Sequence, residues 1–212
     1  VSPVNEYYPV SWAQKRLYYF WQLNKTSLAY NVPVALCIKG DINIIRLEKN
    51  INALIQRHDA LRMSFYMKGE PVFRVHVTEP FHLMVIECGD DRLDTELKNL
   101  VQPFNLETAP LFRAVLLTIQ PKECILFLDF HHIIADGMTV YNVIQELFDL
   151  YSGHELKPLP IAYKDYVHWE RQNDQVEIIN LQKAYWLNTL EGELPLLKMP
   201  ADYPRPAIFN TE

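Results

Sequence analysis

The chain of 212 residues is long enough for one large domain or two small ones, and with 49% hydrophobic and 12% aromatic residues it can fill a sizeable core, which excludes a disordered polymer. Asp plus Glu outnumber Lys plus Arg by 26 to 20, a net charge of -6, so neither nucleic acid nor an anionic membrane is expected as the main partner. No apolar run is long enough to span a bilayer, and the opening "VSPVNEYYPV" lacks the basic region and apolar core of a signal peptide.

"SWAQKRLYYFWQLN" begins with Ser11 and Gln14 at the spacing of a capping box, and Leu17, Phe20 and Trp21 share one face of the helix that follows. "VPVALCIKG" is a strand closed by Gly40; Asp41 is placed to cap a second helix with the apolar stripe Ile44, Leu47, Ile51 and Leu54. "RMSFYM" and "PVFRVHV" flank "KGE" as a hairpin with glycine in its turn. "FHLMVIE" is a further strand, and "DRLDTELKNLV" a helix that stops before Pro103. "LFRAVLLTI" and "ECILFLDF" flank "QPK" as an antiparallel pair buried on both faces. "TVYNVIQELFDLYSG" is a helix with Val140, Ile144, Leu147 and Tyr151 on one side and Gly153 as its stop. "YKDYVHWERQ" and "VEIINLQKAYWLNTLEG" add two more helices, and the proline-rich tail "LPLLKMPADYPRPAIFNTE" is extended. Strands and helices mixed in this way predict an α/β sandwich on an antiparallel-rich sheet.

Cys37, Cys88 and Cys124 are too widely spaced for a disulfide framework or a metal knuckle. Cys37 and Cys124 sit in strand-like runs and are expected to act as small hydrophobes in a reducing, cytoplasmic setting. Tyr7, Tyr8, Trp12, Tyr18, Tyr19 and Trp21 are either core or the lining of a channel, and Lys15 and Arg16 either a solvated helix face or a contact for an acidic partner.

"FLDFHHIIADGMT" places two adjacent histidines where a buried strand runs out into a loop, where reactive groups concentrate. Strand alternation puts His131 with Asp129 and Phe127, and His132 with Phe130 and Leu128. Rings on opposite faces cannot readily share one metal. Either ring is alternatively a hydrogen-bonded core histidine. Asp136 is open to two assignments, a helix N-cap or a buried anion paired with an arginine. Gly137 allows positive φ or close backbone approach. There is no G-x-S-x-G elbow, no cysteine-histidine motif and no glycine-rich phosphate loop, so neither an acyl-enzyme nor ATP binding is expected.

Taken together, "SWAQKRLYYFWQL" (Ser11, Ala13, Gln14, Arg16 and Leu17 matching), "RHDALRMSF", "FHHIIADGMT" and "YKDYVHWE" resemble, in order and separation, the first four motifs of a nonribosomal peptide synthetase condensation domain. The resemblance covers residues 8–206; Ala135, Met138 and Thr139 replace the more frequent Ser, Trp and Ser. It implies a two-layer α/β sandwich of the chloramphenicol acetyltransferase type. Residues 1–206 would form the N-terminal lobe of a two-lobed pseudodimer, and 207–212 would begin the connection to a C-terminal lobe whose motifs this sequence lacks. It also implies that His132 is the catalytic histidine, that His131 helps hold the strand end, that Asp136 pairs with Arg62, and that Gly137 leaves room for a donor thioester. The implied partners are donor and acceptor peptidyl carrier proteins, which deliver 4'-phosphopantetheine arms, and a neighbouring adenylation domain; no cofactor or metal is expected on this segment. An epimerisation domain, a coenzyme A-dependent acyltransferase of the same superfamily and a non-catalytic carrier-docking module are the competing functions. One lobe alone is expected to be inactive.

Overall fold

The computed structural model describes residues 5–77, 79–195, 199–200 and 202–204, with the backbone alone at 173–176. The expected extended tail and the lobe boundary at 206 therefore fall largely outside the described residues. The chain runs β1 (Tyr8–Pro9), α1 (Trp12–Leu23), β2 (Asn31–Lys39) and α2 (Ile44–Arg57), then a 3-10 turn at Asp59–Arg62. The hairpin of β3 (Met63–Lys68) and β4 (Glu70–Val75) follows, then β5 (Met84–Glu87) and α3 (Leu93–Leu100). A second hairpin, β6 (Phe112–Gln120) and β7 (Glu123–His131), precedes α4 (Gly137–Ser152), α5 (Tyr163–Glu170) and α6 (Asn173–Thr189).

The strands form two sheets, in the orders β1-β4-β3 and β2-β7-β6-β5. Every pairing is antiparallel except β5 on β6, which is parallel. The strands are antiparallel-rich as expected, but direction and partner are tertiary properties that alternation cannot report, and it gave neither the division into two sheets nor the parallel β5. Local signals fared better. Ser11 Oγ accepts the Gln14 N–H at 3.1 Å and Gln14 Oε1 accepts the Ser11 N–H at 3.2 Å, closing the capping box. Gly153 ends α4 at φ 91°, a left-handed conformation that only glycine adopts cheaply. The cap of α2 is a correction. Asn43, directly before the helix, accepts the Arg46 N–H at 2.9 Å. Asp41 lies two residues too early and instead pairs with Lys122 at 3.2 Å.

The long hairpin is the spine of the molecule. On one face, Leu126, Leu128 and Phe130 of β7 and Phe112, Ala114 and Leu116 of β6 join Leu47, Ile51 and Leu54 of α2 and Val140, Val143 and Leu147 of α4 in the main core. On the other face, Leu117 and Ile125 pack with Cys88 against Leu93, Leu97 and Leu100 of α3. Burial on both faces explains the near-continuous apolar runs. All three cysteines are free; Cys37 and Cys124 lie on strands as expected, but of these two only Cys124 is buried, with Cys88, while Cys37 is exposed on the edge strand β2. The aromatics divide too: Tyr8, Tyr18 and Trp21 are buried, while Trp12 and Tyr19 are exposed. Lys15 pairs with Glu70.

Candidate active site

β7 stops at His131. Had the strand continued, His132 would lie beside Phe130, which is 1% exposed. Instead the backbone turns, with the Ile134 N–H donating to the His131 carbonyl at 3.0 Å, and His132 emerges exposed. Two contacts fix the turn from outside. The His132 N–H donates to the Tyr30 carbonyl at 2.8 Å, and Gln14 Nε2 donates to the Ile133 carbonyl at 3.1 Å.

His131 behaves differently. It is 3% exposed, its ring lies near Tyr30 and edge-on to Phe104, and its Nδ1 accepts the Ile133 N–H at 3.0 Å. An accepting Nδ1 leaves the ring proton on Nε2. Burial, with a smaller contribution from His132, pushes the His131 pKa down to about 4, so the ring is neutral at physiological pH. One imidazole is locked and uncharged; its neighbour faces solvent.

Asp136 and Arg62 correct the expected ion pair. Asp136 Oδ1 accepts the Thr139 N–H at 2.8 Å and the Thr139 hydroxyl at 2.7 Å, capping α4. These bonds hold the Asp136 pKa below the ordinary carboxylate range. Arg62 is spent elsewhere: it donates to Asp59 at 2.7 Å and to the carbonyls of Ile55 at 2.9 Å and His76 at 2.8 Å. The helix start consumes the carboxylate and the end of α2 consumes the guanidinium. Gly137 is the first residue of α4, has no positive φ, and a Cβ on it would meet nothing within 4 Å. Neither strain nor crowding demands glycine there, and the space beside it is open.

The four sequence motifs meet around this turn. The first reaches it through Gln14. The fourth holds the first, because the Tyr163 hydroxyl donates to Ser11 Oγ at 3.0 Å and the Trp12 N–H donates to Glu170 at 3.0 Å. The second grips α4, where Glu146 receives Arg57 Nε at 3.1 Å and lies 2.6 Å from His58 Nε2. A cavity of about 390 Å³ lies among these motifs, lined by His58, Leu61, Ile134, Thr139, Tyr163 and Tyr166 among others.

Sequence reading placed Asp129 on the His131 face but gave it no role. It is wholly buried, and its Oδ2 accepts from Asn31 Nδ2 at 2.8 Å and from Arg113 Nη1 at 2.9 Å. Burial raises the Asp129 pKa and lowers that of Arg113, while their mutual contact opposes both shifts. A carboxylate inside a run buried on both faces, "ECILFLDF", facing an arginine in "LFRAVLL", was the available signal. Among the described residues, no group of three or more His, Cys, Asp or Glu side chains is placed to hold a metal ion.

A family model described as the condensation domain matches residues 4–212. Bacitracin synthase 3 of Bacillus licheniformis is 43% identical over 98% of this chain, which covers 3% of that protein. Gramicidin S synthase 2 of Aneurinibacillus migulanus is 40% identical over 100% of this chain and 5% of that protein. Among solved structures, the X-domain from teicoplanin biosynthesis superposes with a TM-score of 0.84 at 25% identity, over 98% of this chain and 48% of that one. The starter condensation domain of the rhizomide synthetase RzmA shares the fold with a TM-score of 0.77 at 23% identity, over 88% and 48%. The chain thus spans about half of each solved relative and a small part of each synthase. With nearly its whole length matched and a chloramphenicol-acetyltransferase-like α/β architecture, it belongs to the condensation-domain family of the nonribosomal peptide synthetases.

Proposed function

We propose that this chain is the histidine-bearing lobe of a condensation domain that joins two carrier-bound substrates. The α-amine of an acceptor aminoacyl thioester attacks the carbonyl of a donor acyl or peptidyl thioester. A C–N bond forms, the C–S bond breaks, and the donor pantetheine leaves as a thiol. The single observation that carries this reading is the exposed imidazole of His132, pinned by its backbone beside a neutral, buried His131.

An α-amine has a pKa of about 8, so much of it is ammonium near neutrality and cannot attack. The nitrogen must also shed a proton as the tetrahedral intermediate collapses. An imidazole can take that proton, or accept a hydrogen bond from the attacking amine. Bringing two tethered thioesters together supplies effective concentration, a large share of the acceleration. The open space beside Gly137 suits passage of a thioester arm along the start of α4. The 4'-phosphopantetheine arms arrive as substrate on donor and acceptor carrier proteins. The second lobe completes the site, and an adenylation domain loads the acceptor carrier. No helix among the described residues is long and apolar enough to cross a membrane, and the free thiols suit the cytoplasm.

The test is a complete two-lobed domain supplied with loaded donor and acceptor carriers, with products read by mass spectrometry. The expected product is an amide on the acceptor carrier. Inversion at the donor α-carbon without transfer would instead mark an epimerisation domain, and transfer from free coenzyme A thioesters alone would mark a coenzyme A-dependent acyltransferase. Residues 1–212 by themselves should give no dipeptide, and product from that piece alone would contradict a site shared between lobes.

A further inference from the structure

We propose that the buried Asp129 and the half-buried Asn31 and Arg113 that grip it are positioning residues for His132, tying three strands together at the margin from which its imidazole emerges. This inference rests on the assignment of His132 above. Asp129 lies on β7 two residues before His131; Arg113 is its register partner on β6, and Asn31 is the register partner of His131 on β2. One carboxylate oxygen, Asp129 Oδ2, thus receives a donor from each neighbouring strand.

The same donors reach the segment before β6. Arg113 Nη1 and Nη2 donate to the carbonyls of Gln102 and Pro103, each at 2.7 Å, and Asn31 Nδ2 donates to Gln102 at 2.9 Å. The guanidinium also stacks 3.7 Å from the Phe104 ring centroid, and Phe104 in turn meets the His131 ring edge-on. The decisive link is covalent. Asn31 is bonded to Tyr30, whose carbonyl holds the His132 N–H at 2.8 Å. Fixing Asn31 therefore fixes one of the two external anchors of the turn. An amide, a guanidinium and a carboxylate locked in one partly buried network have little rotational freedom, which suits them to holding a reactive group on register.

A positioning role and a merely structural one give different results in a double-mutant cycle. In the complete synthetase, Asn31→Ala should lower kcat for dipeptide formation about 10- to 100-fold, with KM for the loaded acceptor carrier unchanged and the folded fraction at assay temperature equal to wild type. In a His132→Ala background the same substitution should cost no further rate, because the group it positions is gone. If Asn31→Ala does not fold, Asp129→Asn, which keeps the side-chain shape, is read in the same way. A full loss of rate in the His132→Ala background, or a rate that tracks only the folded fraction, would overturn the proposal. Wild-type rates for Asn31→Ala beside a slow His132→Ala would overturn this inference and leave the assignment of His132 standing. Wild-type rates for His132→Ala would overturn both.

Discussion

Replacing His132 with alanine in the complete domain should slow dipeptide formation about 10²- to 10⁴-fold, the range for loss of a positioned acid-base group. Stability should change by no more than about 0.5 kcal/mol, because the ring is exposed and only the backbone of His132 anchors the turn. The contrast with its neighbour makes the result diagnostic. His131 is buried, and its Nδ1 serves the Ile133 amide, so substituting it should primarily damage folding. Rate loss without stability loss at 132 separates chemistry from architecture. The measurement is single-turnover transfer between loaded carriers, run beside thermal unfolding of the same preparations.

Arg113→Met should destabilise the domain by about 3–5 kcal/mol, the cost of leaving the buried Asp129 carboxylate without its half-buried cationic partner. Asp129 is 0% exposed and loses its only cationic contact among the described residues, together with the tie to Gln102 and Pro103. The effect should depend on pH, with a definite sign. Burial already raises the Asp129 pKa, and removal of the guanidinium raises it further. Below the unfolded carboxylate pKa of about 3.9 both states are protonated and the charge penalty vanishes; above it the penalty grows as the pH rises. Denaturant unfolding of wild type and variant near neutrality and near pH 4 reads this directly. The double variant Arg113→Met/Asp129→Leu should recover much of the loss at neutral pH, because an apolar pair leaves no buried charge. An equal deficit at both pH values, with no recovery in the double variant, would show that the pair is not what holds the strands.

How far the sequence reached differed by the range of the interaction. The capping box at Ser11 and Gln14, the stop at Gly153 and the doubly buried hairpin all depend on neighbours in the chain, and all were legible. Alternation put the two histidines on opposite faces, but with both faces of the strand buried it could not say which ring stays inside. The exposure of His132 was not legible, because alternation presumes that the strand continues, and β7 ends one residue sooner. Asp41 and Asn43 are both good caps by composition; only the first helical residue decides between them. Asp136 had two assignments open, and the pairing with Arg62 failed because a carboxylate one residue before a helix finds backbone and hydroxyl donors at hand. The parallel run of β5 and the arrival of Asn31 at the Arg113–Asp129 pair of the hairpin depend on strands that lie far apart in sequence. Periodicity says which face a residue takes, not what it will find there.

The most direct test of the central claim asks which of the two adjacent imidazoles meets substrate. Histidine ring resonances of the complete domain can be followed by NMR as an aminoacyl pantetheine acceptor is added. The assignment of His132 to the reaction predicts that its resonances move on binding, while His131 stays unperturbed and remains neutral down to about pH 4. Movement of His131 with His132 unchanged would contradict it.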